Sequence, residues 1–472
     1  MSSDQHAELI AKLSAAYEKH APTSHALNER AKQVLVDGGS HALRLIEPFP
    51  PRLARAQGAW VHDQDGHRLL DFWQGHYANL LGHNPPEITS PLAAAFEEGF
   101  GLETGFTDEL QVTCAELLCQ QTDAERVRFT TSGTLATMYT VLLARAFTGR
   151  HKVMKAGGGW HGAQPWGLKG VRFHSGSTDS SRPGRGFSRV ETRGLPTYLS
   201  REVVVTRYND VEMLEEMFQE HGDELACFVV EPVIGAGGFI AAQQDYLDAA
   251  RALTEKHGAL LIFDEVISGF RFRAGDVGRL YGIRPDLATF GKAMGGGMPV
   301  SAVAGRADVM GLVGRDAEHQ VKFSGGTYSA HPGSLLAAQT MMRYLAEHED
   351  EVYPRLAALG EKARRAVEEA FREEGIYARC TGYPNETVPG SSLAMTHFPR
   401  KPGRELARPE DVSDPDVCDV TMREQVVKLA LLLHDIHITH GLGSLTLAHT
   451  EEHIDELADA CRRVARQIEP YL

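Results

Sequence analysis

Lys292 lies in Thr289-Phe290-Gly291-Lys292-Ala293-Met294-Gly295-Gly296-Gly297, directly after a short apolar run. Asp264 closes another such run, Leu260-Leu261-Ile262-Phe263, 28 residues upstream. A lysine at the end of a buried strand, packed beside glycines, is desolvated; its pKa falls and its amine becomes free to attack a carbonyl. Those are the conditions for a Schiff-base lysine, with a lysine snorkelling to the surface as the plainer alternative. A carboxylate such as Asp264 at a strand end can hold a pyridine nitrogen protonated and turn the ring into an electron sink, or it can simply cap a helix. Phe129-Thr130-Thr131-Ser132-Gly133-Thr134 precedes the helical run Leu135 to Phe147. Hydroxyls and free backbone N–H groups at such a helix start cradle a phosphate, although the same turn also serves as an ordinary N-cap. In Gly157-Gly158-Gly159-Trp160-His161-Gly162 the glycines let Trp160 lie flat against a planar cofactor, with His161 beside it, or else the tryptophan belongs to the core. Taken together, the four signals describe one ligand, a phosphorylated, pyridine-containing aldehyde: pyridoxal 5'-phosphate.

These residues need strands to carry them. From about 86 to 335, short apolar runs alternate with helical patterns, the mark of an α/β unit whose mostly parallel sheet is covered on both faces by helices. The strand candidates are Val127 to Phe129, His151 to Lys155, Val203 to Val205, Cys227 to Val230, Leu260 to Phe263, Leu287 to Phe290 and Ala302 to Ala304. In such sheets ligands bind beyond the carboxyl ends of the strands, which is where the four signals fall. Residues 1–85 and 336–472 read differently, with helices over 337–348 and 354–373 and short strands at Trp60 to His62, Leu69 to Phe72 and Leu445 to Leu447. They are expected to form a second, smaller α+β domain around a large domain at 86–335. The segments Gly162 to Ser200 and Pro399 to Pro415 read as long functional or mobile loops.

The 472 residues are 42% hydrophobic and 24% charged, which excludes wholesale disorder. With 48 Lys+Arg against 63 Asp+Glu the net charge is −15, and this argues against nucleic-acid or anionic-membrane partners. No stretch approaches the ~20 apolar residues of a membrane span. The first twenty residues read as an amphipathic surface helix rather than a signal peptide, so a cytoplasmic protein is expected. Six scattered cysteines without a CxxC pair support neither a disulfide framework nor a cysteine zinc site. No metal is expected elsewhere. Asp63-x-Asp65-Gly66 lacks the later ligands of a calcium loop and reads as a β-turn, and His434, His437, His440, His449 and His453 read as helix-surface and turn residues.

The chain resembles the class III aminotransferases of fold type I, close to the glutamate-1-semialdehyde aminomutase branch. The resemblance covers nearly the whole chain. It rests on Gly58-Ala59-Trp60-Val61-His62-Asp63-Gln64-Asp65-Gly66, Leu80-Leu81-Gly82-His83-Asn84, Ser132-Gly133-Thr134, Glu231-Pro232-Val233 and Asp264-Glu265-Val266. It continues through Gly291-Lys292, Gly325-Gly326-Thr327-Tyr328-Ser329-Ala330-His331-Pro332 and His449-Thr450. It implies a mostly parallel seven-stranded sheet between helices plus the smaller domain, and pyridoxal phosphate as cofactor. By the family pattern Lys292 is the Schiff-base lysine and proton shuttle, Asp264 the pyridine-nitrogen partner and Val266 the packing beneath the ring. Gly133 and Thr134, with Ser132 nearby, hold the phosphate. Trp160 stands where a stacking aromatic is usually Tyr or Phe, and Glu231 lies near the ring. Thr327 reaches the phosphate of the neighbouring subunit, which implies a homodimer with composite sites.

The resemblance also implies substrate residues. Arg44 falls where the aminomutase branch places a carboxylate-binding arginine, and His76 and Tyr77 lie in a stretch that lines substrate pockets. Two departures bear on the reaction. Leu135 replaces the usual Glu after the Ser-Gly-Thr turn, and Thr439-His440-Gly441-Leu442-Gly443-Ser444 lacks an arginine that some relatives carry there. The expected activity is transfer of an amino group between a small amino donor and a carbonyl acceptor. The alternatives are an intramolecular aminomutase and a catalytically silent protein that keeps the fold, the last opposed by the intact Lys292, Asp264 and phosphate residues.

Overall fold

The computed structural model describes residues 1, 3–174 and 186–472. Part of the loop expected from Gly162 to Ser200 therefore lies outside the described residues. All seven expected strands form one sheet: β1 Arg126–Thr130, β2 Lys152–Ala156, β3 Val203–Thr206, β4 Leu225–Val230, β5 Leu260–Glu265, β6 Leu287–Phe290 and β7 Ser301–Gly305. Their order is β1-β7-β6-β5-β4-β2-β3. Only β7 runs antiparallel to its neighbours, β6 and β1. The other pairs are parallel, so their carboxyl ends share one edge.

Strands β3 to β7 are buried along their whole length because both faces are covered, whereas the edge strand β1 exposes Arg126 and Arg128. Alternate residues take opposite sides: Phe228, Val230, Leu261 and Phe263 join one buried cluster, whereas Cys227, Val229, Leu260 and Ile262 join another. The helix Gly133–Thr148 covers the second face, capped by Ser132, whose Oγ accepts the Leu135 N–H at 3.3 Å.

A separate apolar core gathers residues from both ends of the chain. The helix Ser3–His20 contributes Leu9, Leu13 and Tyr17, a helical spacing that buries one stripe, as the sequence predicts. The helix Glu349–Glu373 touches both cores: Val352 and Leu356 pack on the large-sheet cluster, while Val367 and Phe371 lie in the second. The strands Leu53–Gln57, Trp60–Asp63 and Arg68–Asp71 form a small sheet, which Ile436–His437 joins in parallel. The turn between Trp60–Asp63 and Arg68–Asp71 is the expected β-turn: the Asp63 carboxylate accepts the N–H groups of Asp65 and His67 at 3.0 and 2.8 Å.

One strand expectation is corrected. The C-terminal strand is Gly443–Ser444, not Leu445 to Leu447. Leu445 is buried as its apolarity requires, but the backbone turns beyond it, where the Thr446 N–H donates to His449 Nδ1 at 3.0 Å. Among the described residues no helix is long and apolar enough to cross a membrane.

Candidate functional site

A cavity of about 270 Å³ opens at the carboxyl edge of the sheet, lined by Ser132, Gly133, Thr134, Trp160, His161, Glu231, Asp264, Val266 and Lys292, with His41, Gly75 and His76 from the N-terminal segment. Parallel pairing in register builds its floor: Asp264 of β5 sits opposite Thr289 of β6. Lys292 follows β6 after extended Gly291, in left-handed backbone with φ of 45°. That conformation is costly for a residue with a Cβ and is tolerated where surrounding structure enforces it. Burial is the main cause that lowers the Lys292 amine, to about 8, against the opposing pull of Asp264 and Glu231.

The Asp264 carboxylate is almost fully buried and held by three donors. His161 Nδ1 donates to Oδ2 at 2.7 Å, while the Thr289 hydroxyl and the Val266 N–H reach Oδ1 at 2.9 and 3.2 Å. Burial lowers the pKa of the His161 ring against the raising effect of Asp264, and its Nε2 is buried without a partner among the described residues. Glu231, at the end of β4, accepts the N–H groups of Trp160 and Gly235 at 2.9 and 2.8 Å. Burial and then the neighbouring Asp264 push its carboxyl above the ordinary range.

Behind this wall Lys155, wholly buried on β2, donates to the carbonyls of Gly159, Gly167 and Lys169 at 2.9, 3.2 and 3.0 Å. Three acceptors match the three N–H bonds of an ammonium. The loop they fasten is the one that presents Trp160 and His161.

The residues present fit pyridoxal phosphate. Among the described residues the amides of Gly133 and Thr134 meet no protein acceptor, and a helix N-terminus with free amides favours a phosphate. A Cβ on Gly133 would come within 2.9 Å of Val266, and one on Gly162 within 2.5 Å of the Thr134 hydroxyl, so both glycines are needed for the chain to pass this close. Asp264 offers the carboxylate for a pyridine nitrogen, and Val266 and Trp160 line the same cavity.

Three expected residues lie elsewhere. Tyr77 is buried against Phe239, ring centroids 5.1 Å apart, and does not line the cavity. The reason is its backbone: Gln74, Gly75, His76 and Tyr77 all have positive φ (45°, 63°, 64° and 64°), a left-handed turn that sends Gly75 and His76 toward the cavity and Tyr77 into the core. Such a turn costs roughly 1–2 kcal/mol for each residue other than glycine. Arg44 sits in the short 3₁₀ turn Ala42–Arg44, exposed and outside the lining, where His41 stands instead. Thr327 is exposed and outside this chain's cavity.

His41, Thr289 and Lys155 were not legible as site residues. Thr289 carries the clearest trace, a hydroxyl near the end of an otherwise apolar strand. The histidines near the C-terminus find separate partners: His437 the Asp71 carboxylate at 2.7 Å, His440 Glu424 at 3.1 Å, and His449 Thr446 at 3.0 Å.

Comparison with known proteins places this geometry. Residues 46–376 match the family model described as aminotransferase class-III. The glutamate-1-semialdehyde 2,1-aminomutase of Acidobacterium capsulatum is 34% identical over 450 residues, 93% of this chain and 98% of that protein. An omega-transaminase from Sphaerobacter thermophilus superposes with a TM-score of 0.84 at 31% identity, over 94% of this chain and 98% of the other. A transaminase solved with pyridoxal phosphate bound gives 0.81 at 30%, over 95% and 98%. The shared architecture is fold type I.

The lowered Lys292 amine sets a pH dependence. Only the neutral amine attacks a carbonyl, so capture of added pyridoxal phosphate by cofactor-free protein should quicken about ten-fold per pH unit below pH 8 and level off above it. Stopped-flow absorbance, with free acetyl-lysine run in parallel to subtract the cofactor's own titration, reads this directly. A break near 10.5 would place Lys292 in open solvent. Asp264→Asn should leave the fold intact and slow turnover by two orders of magnitude or more, since a buried charge partner is worth ~3 kcal/mol; a near-normal rate would remove Asp264 from the chemistry.

Proposed function

Because the chain belongs to the class III aminotransferases, which are pyridoxal-phosphate enzymes, we propose that it moves an amino group between two molecules, an amino acid or amine and a keto or aldehyde acceptor. One observation carries the choice of transfer between molecules. The carboxylates that line the cavity are Glu231 and Asp264, and both are already engaged: Glu231 by two backbone N–H groups, Asp264 by His161, Thr289 and Val266. Exchange within one molecule leaves a second amine to be held, and the cavity offers it no free carboxylate among the described residues. Leu135, where the family carries Glu, lies against an apolar cluster instead. The aminomutase reading is favoured by the name of the 34% identical relative and is the second reading.

Bound here, pyridoxal phosphate supplies an electrophilic carbonyl and a ring that accepts an electron pair. Lys292 provides the covalent attachment and then a base and acid at the substrate's Cα, a role suited to an amine that titrates near neutrality. Asp264 holds a proton on the ring nitrogen, and His161 keeps that carboxylate oriented. The amides of Gly133 and Thr134 take the phosphate, with Ser132 as the cap. Val266 and Trp160 confine the ring, and Glu231 fixes the Trp160 backbone. Burial, with the Lys292 charge next, drives His76 down to about 3, so it meets the substrate as a neutral ring. Arg44, exposed and free of any acidic partner among the described residues, is the guanidinium available to a substrate carboxylate. Arg423 is taken up by Glu424 and His397, and Arg271 by the carbonyls of Ile267 and Tyr77 and two serines.

The working unit is a homodimer. Phe96, Leu102, Phe106 and Tyr328 expose 45%, 74%, 75% and 62% of their surface around the contact of Gly101 with Gly333, an apolar face that association would bury. Thr327 lies in the same segment as Tyr328, free to reach a partner's phosphate. A cytoplasmic location agrees with six cysteines that are all free, five of them buried.

The pyridoxamine form incubated with a keto acid and no other amine should release amino acid stoichiometrically and regain the starting absorbance. If no keto acid of a broad panel does so while one amino-aldehyde isomerises alone, the aminomutase reading takes its place. Light scattering should return twice the 51.7 kDa chain mass, and Thr327→Ala should loosen the cofactor without splitting the dimer. A monomer that binds pyridoxal phosphate fully would sink the composite site.

A further inference from the structure

Arg271 follows β5 by six residues, does not itself line the cavity, and has no part in the chemistry above. It is among the largest fully buried side chains of the protein, yet it forms no ion pair among the described residues. A buried guanidinium normally has a carboxylate. Here polar groups from three distant parts of the chain take that place. Nε donates to the Ile267 carbonyl at 3.1 Å, Nη1 to the hydroxyls of Ser392 and Ser444 at 3.2 and 3.0 Å, and Nη2 to the carbonyl of Tyr77. Ser392 precedes the strand Leu393–His397 and Ser444 ends the strand that pairs with it.

Tyr77 is the last residue of the left-handed turn. At the other end of that turn the Asp71 carboxylate accepts the N–H groups of Trp73 and Gln74 at 3.0 and 2.9 Å. Asp71 is itself gripped by His83 and His437, each at 2.7 Å. The turn is therefore held at both ends by groups that never reach the cavity, while its middle supplies Gly75 and His76 to the wall.

We propose that Arg271 is a positioning residue for substrate binding: by holding the Tyr77 carbonyl it keeps Gln74–Tyr77 left-handed and thereby sets His76 in the cavity wall. An arginine is required because its rigid fork reaches the turn and the two serines at once, which a single ammonium cannot do. The proposal rests on the reading that the donor meets His76, and the test separates the two.

Arg271→Lys keeps the charge and removes the fork. Hydrogen–deuterium exchange on cofactor-free protein should show the amides of residues 72–82 exchanging about ten-fold faster, while the peptide across Leu260–Glu265 is unchanged. With cofactor bound, aminooxyacetate serves as probe, an amine that carries a carboxylate and reports through the cofactor's absorbance. Its half-saturating concentration should rise roughly ten-fold, about 1.4 kcal/mol, with the limiting rate within about two-fold. In a His76→Ala background the same change should have almost no further effect. Ser444→Ala, a gentler variant in case Arg271→Lys folds poorly, should show the same exchange pattern to a smaller degree. Unchanged exchange at 72–82, or an Arg271→Lys effect that multiplies fully with an effective His76→Ala, overturns the proposal. If His76→Ala alone leaves probe binding unchanged, the reading of His76 fails, and the exchange data still decide whether Arg271 holds the turn.

Discussion

Asp264 carries its carboxylate at the end of a strand on which every residue is buried, a place where an ion must be satisfied largely by the protein. The three donors that satisfy it come from separate pieces of chain, and each fixes the piece that carries it. Thr289 requires β6 to pair with β5 in this register. The Val266 amide requires the chain to bend sharply after Asp264. His161 requires the loop after β2 to return across the strand ends, and that loop is in turn tied down by Lys155 through three carbonyls. Trp160 travels on the same loop, fastened to Glu231. A single buried negative charge thus dictates the arrangement of most of the cavity on the sheet side.

The opposite wall of the cavity is built on different terms. It comes from the N-terminal segment, which contributes to both cores, and its decisive element is a turn of the wrong hand for L-residues. No local preference favours such a turn. Burial alone raises the Asp71 carboxyl, but hydrogen bonds from His437 and His83 hold it well below the usual carboxylate range, so it remains an ionised acceptor for the amides that start the turn. His437 reaches Asp71 because the two-residue strand Ile436–His437 pairs in parallel with Arg68–Asp71. The wall formed by Gly75 and His76 is therefore tied to residues at both ends of the chain, and the helix Glu349–Glu373 binds the second core to the large sheet.

Much of this was legible in the amino-acid sequence. Most of the seven strands are short apolar runs, so their composition marks them without reference to neighbours. Lys292, Asp264 and the Ser132-Gly133-Thr134 turn follow directly on such strands, where topology places ligands in any parallel α/β sheet. Their chemistry depends on residue type and on position relative to a strand end, and both are local properties. The Leu445 to Leu447 error has the same origin: apolar spacing signals burial, and burial occurs there in an irregular segment.

Tertiary structure alone decided what depends on pairs. That Lys155 is buried against three carbonyls, that Arg271 has no carboxylate among the described residues, and that His41 rather than Arg44 lines the cavity are facts about distances between segments far apart in the chain, and no periodicity encodes them. The side on which Tyr77 falls turned on the sign of φ at four successive residues. That sign is set by clamps from Asp71 and Arg271 and runs against what the residues themselves prefer. Residue type and spacing thus determined the cofactor and the class of chemistry, because a strand end and a helix start are local structures. The wall formed by Gly75 and His76 was left to the fold, because its geometry is held against local preference by contacts that only folding creates.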